Sequence, residues 1–249
     1  MPDRRKGRGA NPKDRACFAT ESIPILQRAV KELSWLRTRG YSDRASLTLV
    51  GDRYSLRDRQ RKALQRCAAG DQQIAKRERT KVAAADLAGR TVVIDGYNII
   101  LSLETALCGG VLLLARDGVF RDLAAMSRHY RRIDATRDAI EILGESLDHF
   151  GCADIHLLLD RPVSNSGRLR KLILESVDKR TASWHVDLTN KTDRLLIDSP
   201  HIVATGDSAI LDRCTCWFNL CRSIVERTLP SAWVVDLAGT ETASLSTRP

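Results

Sequence analysis

From Arg90 onward, short runs of β-branched and leucine residues alternate with longer stretches of helical periodicity, and no other feature limits the fold as much. The runs fall at 91–94, 155–159, 185–188, 202–204 and 233–235, with helical stretches at 118–130, 134–149, 166–180, 191–198 and 208–227. Strands this apolar along their length suit a parallel sheet covered on both faces by helices. The expected class is therefore α/β. In such sheets ligands bind beyond the carboxyl ends of the strands, so the residues that follow each run are where function is to be sought.

The first third reads differently. Residues 1–15 are rich in Arg, Lys, Gly and Pro without periodicity and are expected to be a flexible basic tail. Over 22–39, Ile25, Leu26, Ala29, Val30, Leu33 and Leu36 recur at helical spacing, and Gly40 stops the helix. A second helix is expected over 44–50. Ser55 is a candidate cap for a third, which carries Arg57, Arg59, Arg61, Lys62 and Arg66 outside with Leu56, Ala63 and Leu64 inside. The organisation expected is a small basic all-helical domain over 16–70, a mostly helical connector over 71–89 and the α/β domain over 90–249.

Charge follows the same division. Residues 1–90 hold 22 Lys and Arg against 10 Asp and Glu, a balance of +12, whereas the remainder holds 18 against 21. A basic module joined to a slightly acidic one suits holding a polyanion in one part and doing chemistry in the other. A solvated basic surface is the plainer alternative. The longest apolar run, 111–115, is far too short to span a membrane. No apolar segment follows the basic start in the manner of an export signal, so a cytoplasmic location without membrane association is expected. Seven scattered cysteines fit a reducing compartment. Cys214, Cys216 and Cys221 lack a Cys-x-x-Cys pair and read better as buried thiols on a helix than as part of a zinc site with His201. The five histidines form no zinc-hydrolase motif, and no nucleophile elbow, Walker loop or dinucleotide fingerprint is present.

The ends of the strands carry acids. Asp95 follows the first, Asp160 the second, Asp207 the run 202–206, and Asp193 opens a helix shortly after the strand around Val186. Each alone reads equally well as a helix cap or turn residue, and Asp207 shares that ambiguity with Ser208. Four on separate segments are expected to meet at one rim. There their mutual repulsion calls for a cation, and Mg²⁺ or Mn²⁺ is the natural partner of oxygen ligands.

Asp95-Gly96-Tyr97-Asn98 after an apolar strand resembles the opening motif of the NYN branch of PIN-like nucleases. Leu158-Leu159-Asp160, Thr192-Asp193 and Val203-Ala204-Thr205-Gly206-Asp207 are similar to that branch's later acidic motifs, in the same order, as in its ribosome-associated endonucleases. The resemblance covers about residues 90–237. It implies a PIN-like fold and a metal-dependent endoribonuclease with Asp95, Asp193 and Asp207 as catalytic metal ligands. Asp160 and Asp212 would be further ligands, with Asn98, Thr205 and Ser208 supporting them. It also implies RNA as partner, the ribosome and a second copy of the chain being further candidates. The whole chain is also similar to an uncharacterised prokaryotic family that pairs a basic helical domain of unknown function with a PIN-like domain. The segments 39–42, 49–54, 116–122 and 164–167 carry that likeness.

Several residues stay open. Glu104, Asp117, Asp122 and Glu141 compete for one more acidic place. Arg53, Arg57, Arg59, Arg61 and Lys62 are candidates to grip a nucleic-acid backbone, or form an exposed helix face with Asp52 and Asp58 as partners. The stretch 164–167, followed by Arg168, Arg170 and Lys171, reads as a phosphate cradle or as a plain helix cap. Two other functions compete with the nuclease: a catalytically inactive RNA- or ribosome-binding scaffold, and a phosphatase. The phosphatase would want a second aspartate at the position of Tyr97.

Overall fold

The computed structural model describes residues 9–123 and 134–239. The N-terminal part is helical: α1 (Asp14–Cys17), α2 (Ile23–Thr38), α3 (Asp43–Arg53), α4 (Asp58–Cys67) and α5 (Asp71–Thr80). Beyond it follow β1 (Thr91–Asp95), α6 (Gly96–Leu107), β2 (Leu112–Leu114), β3 (Phe120–Asp122), α7 (Ala135–His149), β4 (Asp154–Asp160), α8 (Ser166–Val177), β5 (Ser183–Thr189), α9 (Thr192–Ile197), β6 (Ile202–Ala204), α10 (Ser208–Leu211), α11 (Leu220–Thr228) and β7 (Val234–Asp236). The result is a mixed α/β structure with a parallel sheet flanked by helices behind a helical region. No helix among the described residues is long and apolar enough to cross a membrane.

The main sheet has the order β5-β4-β1-β6, all strands parallel. From β1 the chain steps outward to β4 and β5, then returns through α9 to lay β6 on the other side of β1. That reversal puts the end of β1 at a topological switch point, where α/β sheets bind ligands. Alternation sorts the side chains. Val92, Ile94, Ile155, Leu157 and Leu159 face the large core under α6, α7, α8 and α11. Val93, Leu158 and Val203 face a smaller cluster with Leu196, Ile210, Leu211 and Trp217, on the side of α9 and α10. Asp95 continues the series of Val93, and Asp160 that of Leu158.

The fifth expected strand lies elsewhere. β7 pairs with β2, and β3 pairs antiparallel on β2's other edge, in a second sheet of order β3-β2-β7. Leu112 and Leu114 point to the main core, while Leu113 lies in a cluster shared with Leu26, Leu33 and Leu64 of the helical region. The stretch 118–130, expected as helix, holds β3 instead; its part beyond Leu123 lies outside the described residues. Phe120 and Asp122 pair with Leu114 and Leu112, and that tertiary pairing overrides a weak local signal.

Four other expectations are corrected. The single helix over 208–227 is two, because residues around Trp217 run extended. Trp217 bridges β6 at Val203 and the connector at Lys81, and its indole N–H donates to the Arg77 carbonyl at 2.8 Å. Cys214 and Cys216 therefore lie between the two helices, and only Cys221 is on one. Ser55 takes a left-handed φ of 49° and caps nothing; Arg57 is the residue at the start of α4. The basic tail gives way at Asp14, which is buried in α1 and ion-paired with Arg59. Residues 1–8 lie outside the described residues.

Candidate active site

Asp95 ends β1 with an extended backbone and caps α6, its Oδ1 accepting the Asn98 N–H at 3.4 Å. The glycine that follows is required by space. A Cβ at Gly96 would lie 2.5 Å from Leu157 Cδ2 and 2.8 Å from the Leu158 carbonyl oxygen. This close approach lets α6 start directly above β4. Oδ2 of Asp95 accepts the Thr205 hydroxyl at 2.8 Å, and Thr205 Oγ1 accepts the Asp207 N–H at 3.0 Å. Asn98 Oδ1 accepts the Gly206 N–H at 2.6 Å, and Arg121 Nε donates to the Gly206 carbonyl at 2.8 Å. The turns after β1 and β6 are thus laced together, and Gly206 is held from both sides. Asp207, next along, caps α10 through Oδ1, which accepts from Ala209 at 2.6 Å and Ile210 at 3.4 Å. The cap expected at Asp207 or Ser208 is therefore Asp207.

Asp95, Asn98, Arg121, Gly206 and Asp207 line a cleft of about 510 Å³ that also receives Asp160 from the end of β4, Asp193 from the first turn of α9, Ser208, and Asp122 from the end of β3. Burial, opposed by the Thr205 and Asn98 hydrogen bonds and reinforced by Asp207 and Asp160, holds the Asp95 carboxyl far above its ordinary value, at about 7. Partial burial, then Asp207 and Asp160, raise Asp193 as well, against the pull of Arg213. Burial and then Asp160 raise the phenol of Tyr97, which stands where the phosphatase pattern wants its second acid. The acids therefore feel one another across a shared space. Among the described residues, no group of three His, Cys, Asp or Glu side chains stands close enough to hold a metal ion as placed. The donor set is nevertheless of the right kind: oxygens only, mutually repelling, on strand ends and the helix starts that follow them.

Asp122 is the crossover acid that reaches the cleft. It accepts the Ser102 hydroxyl at 2.9 Å, and Arg66 lies 3.8 Å from its carboxylate. Asp117 is buried instead between two guanidiniums, Arg77 at 2.5 Å and Arg121 at 2.6 Å. Burial works against its charge, but Arg121 and Arg77 outweigh it and hold its pKa at about 2. Glu104 is wholly buried and accepts the Thr136 hydroxyl, and Glu141 pairs with Arg180 at 2.8 Å. Asp212 is likewise removed from the metal-ligand set. Arg77 takes its carboxylate at 2.6 Å and Gln73 donates to it at 2.6 Å, so it lies off the cleft.

The expected basic grip is only partly available. Arg53, Arg57 and Lys62 are exposed. Arg59 is spent on Asp14, and Arg61 on Asp52 and the Leu56 carbonyl, because each closes a helix-to-helix gap within the module. Arg168 and Arg170 lie outside the cleft, with Arg170 Nε donating to the Val186 carbonyl at 2.7 Å. Asn165 sits left-handed before α8, and Ser166 Oγ donates to the Arg161 carbonyl, which suits a helix start. Gln65 and Arg66 of α4 line the cleft, as does Arg121, and sequence reasoning named none of them for it. The spacing of Arg66 four residues after Lys62, on one helix face, was the available signal.

Residues 84–223, more than half of the chain, match the model of a family described as Domain of unknown function (DUF5616). The chain belongs to that family. Ahead of the DUF5616 region, residues 25–80 match a second model, described as Protein of unknown function (DUF434). The two matches meet between the end of α5 and the 3-10 turn at Ala84–Leu87, beside the bridge from Lys81 to Trp217. Among curated proteins, the uncharacterized protein MJ0935 of Methanocaldococcus jannaschii is 30% identical over 186 residues, covering 75% of this chain and 88% of the relative. No solved structure matches. Within the DUF5616 match lie all five acids of the cleft, whereas Gln65 and Arg66 come from the DUF434 match.

Proposed function

We propose that the chain is a cytoplasmic, metal-dependent endoribonuclease of PIN-like, NYN-type architecture, whose helical region takes part in holding RNA. The observation that carries this reading is the convergence of Asp95, Asp160, Asp193 and Asp207 on one cleft beyond the parallel strands, with Asp122 beside them. Their repulsion is costly, and a bound cation removes the cost. Asp95, Asp193 and Asp207 would hold Mg²⁺ or Mn²⁺, adjoined by Asp160. When bound, the metal supplies a water activated for attack and neutralises charge at the scissile phosphate. The chain's own residues do the rest. Thr205 and the Asn98 N–H orient the Asp95 carboxylate, while Asn98 and Arg121 fix the peptide that carries Asp207. Arg66, at the rim and engaged with Asp122, would share its guanidinium with a substrate phosphate.

A catalytically silent RNA- or ribosome-binding scaffold is the second reading. One observation favours it: no three ligands stand close enough for a metal as placed among the described residues. The test is cleavage of single-stranded and structured RNA by purified protein with Mg²⁺ or Mn²⁺. Wild type is expected to cut, and Asp95→Asn and Asp207→Asn each to fall to background while staying folded. If both variants cut as well as wild type, the site is wrong. RNA that is bound with a steep salt dependence but never cut selects the scaffold.

A further inference from the structure

A second concavity, of about 520 Å³, lies between α2 and α3, away from the acids. Its floor is apolar and aromatic, with Trp35, Leu36, Leu49, Val50 and Tyr54, and its rim carries Arg28, Lys31 and Arg53. Trp35 is 51% exposed and Leu49 63%, an unusual exposure for side chains that a core would otherwise claim. Arg39 places its guanidinium 3.6 Å from the centre of the Trp35 ring. The single acid of the lining, Glu32, is engaged: it accepts the Tyr54 hydroxyl at 2.8 Å and lies 3.5 Å from Arg53. Arg28 and Lys31 have no ion pair among the described residues. The groove therefore joins a half-exposed indole, one face of which Arg39 covers, to a net positive rim. A second copy of the chain is a poor occupant, because a two-fold contact would set this rim against itself.

We propose that this groove is a polynucleotide subsite in which an unstacked base of single-stranded RNA lies against Trp35 while Arg28, Lys31 and Arg53 hold the adjoining phosphates. Aromatic faces with interleaved cations bind single strands in this way with little sequence preference. The position relative to the cleft fits. Tyr54 precedes α4, whose far end delivers Gln65 and Arg66 to the acids, and ten helical residues span roughly 15 Å. Arg57 and Lys62 are exposed along that interval. A strand anchored at Trp35 thus runs along α4 toward the cleft. The choice of RNA rests on the nuclease reading, but occupation of the groove is measured without cleavage.

The experiment is titration of the full chain, in EDTA, with an oligouridylate of about fifteen nucleotides, read by tryptophan fluorescence and by anisotropy of a labelled strand. Trp217 is wholly buried and Trp35 is the most exposed tryptophan of the four, so saturable quenching with an affinity that falls steeply with salt is expected. Trp35→Ala should abolish the quenching and weaken binding about tenfold, Trp35→Phe should restore part of the affinity, and Lys31→Glu should weaken it. Lys179→Glu, an exposed charge change after α8 and outside both the groove and the cleft, should bind like wild type. Unchanged affinity in Trp35→Ala overturns the subsite and leaves the nuclease reading standing. Equal quenching by duplex RNA of the same length also overturns it, as does a dimer that Trp35→Ala dissolves and RNA does not. Loss of binding in Trp35→Ala by a protein that never cleaves supports the subsite and sinks the nuclease instead.

Discussion

Arg77 is almost sealed from solvent and holds two carboxylates at once, Asp117 from the loop before β3 and Asp212 from the end of α10. Asp117 passes the connection to Arg121, which grips the Gly206 carbonyl next to Asp207. Removing the shared acid leaves buried Arg121 without a carboxylate and Arg77 with Asp212 alone, and breaking a buried pair costs roughly 3–5 kcal/mol. Asp117→Asn should therefore lower the urea midpoint strongly, and an unchanged midpoint would show that the network contributes little. The pH dependence has a definite sign. The Asp117 pKa is lower in the folded protein, about 2, than its ordinary 3.8. Its contribution is thus full above about pH 4 and lost as pH falls toward 2. Wild type should lose stability across that window more steeply than the variant. None of this was legible in the sequence, where Asp117 and Asp212 look as suitable for metal as Asp95 does. What separates them is the partner: Arg77 comes from a helix 40 residues before Asp117 and 135 before Asp212.

At the level of elements, β1, β4 and β6 were legible as buried, mostly apolar strands and β5, at the edge, by its alternation of Trp184, Val186 and Leu188 with polar residues, and four of the five expected runs pair in one sheet. β2 and β3 were not, since β3 reads Phe-Arg-Asp with two charged residues, and β2's parallel partner lies some 120 residues away. Asp95, Asp160 and Asp207 were legible for the same reason as the strands, since each follows an apolar run, whereas Asp193 opens the helix after β5. The glycine after the first of them makes a sharp test of how the elements meet. Gly96→Ala forces a methyl into Leu157, Leu159 and the Leu158 carbonyl, so α6 must lift from β4. Overpacking of this kind typically costs about 1–3 kcal/mol, and Asp95 moves with the helix it caps. The variant should be destabilised in urea and weaker in cleavage, whereas Gly167→Ala, with open space around it in the first turn of α8, should keep or slightly raise stability and leave cleavage unchanged. Equal behaviour of the two variants would mean that the α6–β4 approach does not set the site.

For the whole molecule, the helical region and the α/β part share one structure although they match two family models. Val111, Leu113, Ala115, Leu123, Val235 and Leu237 are buried in one cluster with Leu26, Ala29, Leu33 and Leu64. Burying a large aliphatic side chain is worth about 1.5–3 kcal/mol, so the β-side residues of this cluster together draw on order 10 kcal/mol of gross stabilisation from the helices, as much as the net stability of a domain. The connector adds Arg77 and the pairing of Lys81 and Val82 with Trp217. Deleting residues 1–89 would uncover that apolar face, leave Asp117 with one guanidinium and take Gln65 and Arg66 from the cleft. The truncated chain should therefore aggregate or expose apolar surface to a fluorescent dye, and calorimetry of the full chain should give a single unfolding transition. Leu113→Ala, at the centre of the shared cluster, should lower that transition as a whole, by an amount in the range of about 2–5 kcal/mol for such truncations. Two separate transitions, with only one moved by Leu113→Ala, would mean that the helical region is an independent appendage. In that case the α/β part alone should retain whatever cleavage the full chain performs.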